Sequence, residues 1–333
     1  MTEAPTVSVA MATYNGAKYL RAQLESILGQ THPVAELVIS DDGSTDGTLD
    51  VACSVLSEST ASALAVTIID GRPAGGVTAN FERAISRTTH PVVVLSDQDD
   101  IWEPDRVAVT LEGLDRRSGT LLVHGDARLI DDNGRDLGRL FDTLGLSRAE
   151  RDRIRSGCAF DLLMRRNVVT GATVGFRREL FDRARPFPSS WVHDEWLAMV
   201  AAAADGVDLI DRPLINYRQH DSNEIGAGRV GWADRLERLT SQGRARNRRL
   251  LDRAKALSQW VEQDPDRVTL ERRQAVRQKV EHERVRERLP RRRLPRLPVV
   301  VAEARTGRYA RFGRGVADVV RDLVQPLDDS AGP

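Results

Sequence analysis

The sequence is poor in several residue types. In 333 residues there are two cysteines, four tyrosines, five tryptophans and seven phenylalanines. Cys53 and Cys158 form no spaced pattern, which excludes a disulfide framework and a cysteine-based metal site. Lysine occurs three times against 46 arginines, a bias of coding more than of chemistry. The longest unbroken apolar run, Leu197–Ala204, falls well short of the roughly 20 residues a membrane span needs. The start, Met1-Thr2-Glu3-Ala4-Pro5, lacks the basic and then apolar pattern of a signal peptide, so a cytosolic protein is expected. No Gly-x-x-x-x-Gly-Lys-Ser/Thr occurs, which argues against a P-loop nucleotidase.

Against these absences, 41% of residues are apolar and 29% charged, enough for a packed core and not the composition of a disordered chain. The length suits one large domain, or one domain with an appendage. The net charge of zero hides a division. Residues 1–228 carry 23 Lys+Arg and 34 Asp+Glu, a net −11, and residues 229–333 carry +11. An acidic body with a basic tail is expected, and such tails meet anionic membranes or nucleic acid.

Apolar runs at 7–12, 37–39, 64–69 and 92–95 read as strands. Helical patterns lie between them at 18–28, 47–57 and 77–85, and Pro104 suits the first turn of a fourth helix. This alternation predicts βαβ units and a mostly parallel central sheet flanked by helices. Beyond 118 the rhythm breaks. A longer strand is expected at 121–130, helices at 178–184 and 194–204, and a last strand at 214–217, while 135–170 fits no clear pattern. From 231 to 289 the chain reads as charged helix. Arg291–Pro298 interrupts it, and a final helix carries Tyr309, Phe312, Val316 and Leu323 on one face.

Open α/β sheets bind ligands at the C-terminal ends of their parallel strands. Three ends are rich here: Thr13-Tyr14-Asn15-Gly16, Asp41-Asp42-Gly43-Ser44-Thr45-Asp46-Gly47 and Asp97-Gln98-Asp99-Asp100. A lone Asp-Gly-Ser is usually a turn and a lone Asp-x-Asp a solvated loop. Together at successive strand ends they point to a site. Their mutual repulsion is relieved by a divalent cation, and oxygen ligands suit Mg or Mn. Open positions on that ion imply an anionic ligand such as a diphosphate. Gly226-Ala227-Gly228-Arg229-Val230-Gly231 matches Gly-x-Gly-x-x-Gly, but no βαβ unit follows it, so it reads as a loop.

The segments 7–15, 41–48 and 96–102 resemble the nucleotide-sugar half of glycosyltransferase family 2, with the GT-A fold. Ser96-Asp97-Gln98-Asp99-Asp100-Ile101-Trp102 is similar to a bacterial, rhamnosyltransferase-like subgroup. The resemblance continues through 168–172, 193–197 and 217–220 into the tail at 307–309 and 315. It implies a GT-A domain over 1–225, with a donor half of about 1–118 and an acceptor half of about 119–225, and a basic helical extension over 226–333. It implies that Thr13 and Tyr14 pack on the nucleotide base, with Asn15 completing that strand end. Asp41 would read the base, with Asp42 as its alternative. Asp99 would bind the metal that bridges the diphosphate of the sugar donor, and Asp97 would lie near the ribose or the metal. Asp194 would be the general base. His220 would contact metal or diphosphate, with an equal case for a structural role, and Arg218 beside it would suit the diphosphate.

The implied reaction is inverting, metal-dependent transfer from a nucleoside-diphosphate sugar, with dTDP-L-rhamnose the first choice. The acceptor would be a glycan or polyprenyl-linked glycan hydroxyl in bacterial surface polysaccharide assembly. One carboxylate takes the acceptor proton. A glycosidase would instead need two carboxylates flanking one bond. Glu195 points about 100° away from Asp194 on a helix and reads as a helix-start charge. His193 reads as structural and Trp102 as core. Trp191, Trp196, His124 and Asp126 are open between the acceptor side and packing.

The tail suits peripheral contact at the inner face of the plasma membrane, docking onto the body, or a homo-oligomer. Nucleic acid ranks last, for want of an aromatic-rich or helix-turn-helix signature. The alternatives are transfer of another sugar of the UDP-glucose or UDP-galactose type, a sugar nucleotidyltransferase, and a catalytically silent GT-A binding module.

Overall fold

The computed structural model describes residues 5–59, 63–220 and 243–327. The Gly-x-Gly-x-x-Gly match at 226–231 and the expected domain boundary at 225 lie outside the described residues. The chain divides into two compact units, Met1–Ala159 with Val168–Ala227, and Phe160–Asn167 with Gly228–Pro333. Residues 160–167, read from the sequence as part of the first domain, therefore group with the second.

The first unit opens with the expected alternation: β1 (Val7–Thr13), α1 (Ala17–Leu28), β2 (Glu36–Asp41), α2 (Thr48–Glu58), β3 (Ala65–Ile69), α3 (Val77–Ser86) and β4 (Val92–Ser96). Every residue of β1, β2 and β4 is buried, as in a sheet covered on both faces. Leu20, Leu24 and Ile27 of α1 face inward at helical spacing, and the edge strand β3 is short and partly exposed. There follow β5 (Ile101–Trp102), α4 (Arg106–Asp115), β6 (Leu122–Ile130), β7 (Asp136–Arg139), α5 (Leu140–Thr143) and α6 (Arg148–Arg155). The second unit contributes α7 (Phe160–Arg165) at this point. The first then resumes with β8 (Gly175–Arg177), α8 (Glu179–Ala184), α9 (His193–Ala203) and β9 (Val207–Arg218).

The strand order is β3-β2-β1-β4-β8-β6-β9-β5, with β7 paired to β6. Strands β1 to β4 are parallel, and β8 runs against both β4 and β6. β6 therefore runs with β4, and β9 is parallel to β6. This topology delivers the C-terminal ends of β1, β2, β4, β6 and β9 to the same edge of the sheet. That edge is where ligands of such sheets bind.

β9 begins at Val207, seven residues before the expected start at 214. Its polar positions hid it. Buried Asp208 pairs with Arg116 at 3.4 Å, and Asp211 takes Arg151 and Arg155 at 2.9 and 2.8 Å. In the stretch that fits no clear sequence pattern, α6 starts on a capping box in which the Ser147 side chain accepts from the Glu150 N–H and Glu150 reaches back to Ser147.

The second unit is helical: α7, α10 (Gly243–Gln263), α11 (Leu270–Glu287), α12 (Arg293–Arg305), α13 (Arg308–Phe312) and α14 (Val316–Val324). The expected break is present but shorter and earlier than 291–298: α11 ends at Glu287, and α12 starts at Arg293 and runs through Pro298. The expected single final helix is instead broken into α13 and α14 at Gly313 and Gly315. Tyr309, Phe312 and Val316, expected on one apolar face, part: the first two are each 2% exposed and Val316 is 77% exposed.

The interior of this unit holds several ionic groups. Arg286, fully buried, donates from Nε to Asp322 Oδ2 at 2.7 Å and from Nη1 to Glu283 Oε2 at 3.2 Å. Tyr309 also donates to Asp322, at 2.8 Å, and Lys279 pairs with Glu283 at 3.0 Å. Arg296 donates to the carbonyls of Pro290, Arg291, Asp322 and Gln325.

Two outcomes are predicted. A Cβ at Gly16 would lie 2.2 Å from Gln98 Oε1 and 2.4 Å from its Cδ. Gly16→Ala should cost about 1–3 kcal/mol in chemical denaturation, and Gln98→Ala in the same chain should recover part of it. Asp322→Ala leaves Arg286 buried without its main partner. It should destabilise the helical unit by about 3–5 kcal/mol, read as an early loss of helical ellipticity on heating.

Candidate functional site

The first two strand ends are stitched together by short side chains. Asn15, at a left-handed φ of 48°, donates its N–H to Ser44 Oγ at 2.8 Å and accepts from the Thr45 N–H at 2.9 Å. Asn tolerates this conformation better than most residues. Thr13 Oγ1 donates to Asp41 Oδ1 at 2.7 Å. Asp41 also accepts from Ser44 Oγ and from the N–H groups of Gly43 and Ser44. Asp42 accepts from the N–H groups of Ala74, Gly75 and Gly76, holding the loop before α3. Gln98 exchanges two hydrogen bonds with the Tyr14 backbone, at 2.8 and 2.9 Å, and ties the third strand end to the first. The Tyr14 side chain is 52% exposed, open to stacking.

The acids meet at the end of β4. Desolvation pushes Asp97 up to about 7, helped by the charges of Asp99 and Asp194 and opposed by Arg106. Desolvation also raises Asp100 well above the usual carboxylate range, with Asp99 and Asp97 adding to it. The Tyr217 hydroxyl is raised by burial and by Asp97, Asp100, Asp99 and Asp194. These couplings bring Asp194, at the start of α9, into the same cluster as the β4 acids. Asp194 Oδ2 accepts from the Gly171 N–H and Oδ1 from the Glu195 N–H, both at 2.7 Å, which fixes the carboxylate.

Beneath lies Arg106, fully buried, with its guanidinium 3.8 Å from the Trp102 ring centroid and Nη2 donating to the Leu95 carbonyl at 3.0 Å. Burial lowers its pKa to about 9, against the pull of Asp100 and Asp97. Arg106 was not singled out in the sequence. Its signal was slight, an arginine in the first turn of a helix just after the acidic loop.

His220 Nε2 lies 2.8 Å from Asp99 Oδ2, and its ring stacks on Tyr19 at 5.1 Å. The pair supplies one oxygen and one nitrogen donor, a set that fits Mg or Mn. Among the described residues no three His, Cys, Asp or Glu side chains are grouped to hold a metal ion.

Arg218, expected on the diphosphate, is engaged elsewhere. Its guanidinium donates to the carbonyls of Asp99, Asp131 and Asp132 at 3.0, 3.3 and 3.3 Å, and its N–H donates to Asp100 Oδ1 at 3.0 Å. It clamps the acidic loop to the turn after β6. Asp41, expected to read the base, is 2% exposed and accepts four hydrogen bonds, from Thr13, from Gly43 and twice from Ser44.

His193 stacks on Phe81 at 4.0 Å in the core, and burial lowers its pKa to about 3. Trp196 is 1% exposed and donates to the Ala184 carbonyl, and Trp191 packs on it at 5.4 Å. Asp126 accepts from Arg139 Nε and from the Ala127 and Phe141 N–H groups, and His124 is buried edge-on to Phe141. Packing accounts for all four of the residues left open by the sequence.

Comparison with known proteins agrees with this geometry. The profile of Glycosyl transferase family 2 matches residues 8–184, more than half of the chain. Over 244 residues the chain is 27% identical to the dTDP-rhamnosyl transferase RfbG of Shigella flexneri, covering 69% of this chain and 78% of that protein. Over 223 residues it is 26% identical to an uncharacterized glycosyltransferase of Nostoc sp., covering 65% and 66%. Among solved structures it is similar to TarS of S. aureus in complex with UDP-GlcNAc, with a TM-score of 0.54 and 18% identity over 84% of this chain and 72% of that one. It is also similar to the mannosyltransferase PcManGT of Pyrobaculum calidifontis in complex with GDP-Man and Mn2+, with a TM-score of 0.52 and 19% identity over 99% and 89%. At such identities the two structures share the fold with this chain. The profile match, the strand order and the acids gathered at the strand ends lead to one assignment: the chain belongs to glycosyl transferase family 2 and has the GT-A fold.

Proposed function

We propose that the protein transfers a sugar, with inversion, from a nucleoside-diphosphate sugar to a glycan hydroxyl, with a divalent cation at Asp99 and His220. The observation that carries the reading is the meeting of Asp194 with Asp97 and Asp99 in one electrostatic cluster. Single displacement needs one carboxylate to take the acceptor proton as the hydroxyl attacks. Asp194 fills that role. The N–H groups of Gly171 and Glu195 hold its two oxygens, so it meets the hydroxyl in a fixed orientation.

Tyr14, exposed at the end of β1, stacks on the nucleotide base, with Thr13 and Asn15 supporting its loop. Asp41 and Asp42 contribute by shaping the two turns that border that base. Asp97 lies toward the ribose. Mg or Mn, when bound, neutralises charge on the departing diphosphate. The Mn2+ in the PcManGT complex supports this choice of cofactor.

The sugar is L-rhamnose and the donor dTDP-L-rhamnose. This rests on the likeness to RfbG and on the Ser-Asp-Gln-Asp-Asp-Ile-Trp segment. The acceptor is a glycan or polyprenyl-linked glycan of bacterial surface polysaccharide, met in the cytoplasm or at the inner membrane face. Among the described residues no helix is long and apolar enough to cross a membrane.

Asp194→Asn keeps the size of the side chain and removes the base. It should lower kcat by about 10²–10⁴ while leaving the affinity for the sugar nucleotide within about twofold, measured by single-turnover transfer and calorimetry. Equal loss of both would reassign Asp194 to binding. His220→Ala should weaken Mn2+ binding by about tenfold or more in the presence of nucleoside diphosphate, read by paramagnetic resonance of the free ion. Unchanged Mn2+ affinity would remove His220 from the metal site.

A further inference from the structure

Helix α14 packs Val319 and Leu323 inward but buries acids beside them and leaves its other valines outside. Asp318 and Asp322, one turn apart, are 3% and 0% exposed, while Val316, Val320 and Val324 on successive turns are 77%, 51% and 53% exposed. A surface helix ordinarily does the reverse. α12, packed against it, repeats the inversion. Its Arg296 and Glu303 are buried, and Leu294, Leu297 and Val301, at i, i+3 and i+7, face solvent.

Hydrogen bonds hold the inversion. Asp322 takes Arg286 and Tyr309, Asp318 takes the Arg314 N–H and Arg321, and Glu303 takes His282. These are the three acids of residues 291–327, and all are spent inside. Of the arginines, Arg296 is buried and Arg308 and Arg321 are paired, while Arg292, Arg293 and Arg305 of this segment stand in solvent. The outward surface thus joins large aliphatic side chains to cations, with no exposed carboxylate in the segment.

We propose that this face of α12 and α14 lies on an anionic lipid bilayer. The leucines and valines enter the acyl boundary, and the arginines meet the phosphate headgroups. Charge decides the occupant. A second copy would bring one arginine-rich surface against another, and nucleic acid would leave six aliphatic side chains without an apolar environment. An anionic bilayer matches both. The inference stands apart from the transfer chemistry, because vesicle binding is read with no sugar nucleotide present.

The test is co-sedimentation of the full chain with vesicles of phosphatidylcholine, with and without phosphatidylglycerol. Binding should need the anionic lipid and weaken at high salt. The double variant Leu294→Glu with Val320→Glu changes exposed positions only. It should lower partitioning by about tenfold or more with an unchanged melting temperature. Arg292→Ser with Arg293→Ser should weaken binding to anionic vesicles alone. Absence of binding at low salt, or undiminished binding by the glutamate variant, would overturn the proposal. So would a concentration-dependent dimer in sedimentation velocity that the glutamate variant converts to monomer, which would give the face to a second copy.

Discussion

Asp97, Asp99, Asp100 and Asp194 lie within electrostatic reach of one another at one end of the sheet, and the cost of burying them together, desolvation first and repulsion second, is the constraint that the strand-end site answers. Three of them follow β4 directly, where the chain leaves a fully buried strand. Asp194 reaches them because α9 begins at the same edge. Part of the answer to the repulsion is covalent and local: Arg106 lies buried in the next helix, held against Trp102, with its charge under the loop. Part is long-range. β9 runs parallel to β6 and returns Arg218 and His220 to the acids, where Arg218 fixes the loop from the side and His220 meets Asp99. Removal of the His220 ring would take from Asp99 its imidazole partner, and removal of the Arg218 side chain would release the carbonyls of Asp99, Asp131 and Asp132.

The second unit solves a related problem with a different product. Its buried polar groups are tied to one another, Arg286 to Asp322 and Glu283, His282 to Glu303, and Arg296 to four backbone carbonyls. Such pairing within a small helical core fixes how the helices face. The consequence is an unusual exterior, with aliphatic residues outward on α12 and α14. In the first unit burial of charge serves chemistry, and in the second it orients a surface.

Much of this was legible in the sequence. The strand runs at 7–12, 37–39 and 92–95 and the acids after them gave the parallel sheet and its working edge, because buried parallel strands are written as plain apolar runs. The pairing of Asp99 with His220 was anticipated only through family likeness, since 121 residues separate them and no local pattern links them. The early part of β9 was hidden by Asp208 and Asp211, polar residues whose arginine partners lie on other elements. The hydrogen-bond partners of Arg218 and Asp41 were not legible, because most of them are backbone groups that a sequence does not display. The tail misled for a simpler reason. Helical periodicity identifies an apolar face without saying whether it turns inward, and here Tyr309 and Val316 part company at Gly313 and Gly315.

The account stands or falls on the strand-end cluster binding a sugar nucleotide together with a divalent cation. The direct measurement is calorimetric titration of the intact protein with dTDP-rhamnose, UDP-glucose, UDP-galactose and GDP-mannose, each with and without Mn2+. The account predicts saturable binding of dTDP-rhamnose that requires Mn2+ and is lost in Asp99→Ala. A folded protein that binds none of the four, or binds one equally well without metal and in Asp99→Ala, would contradict it.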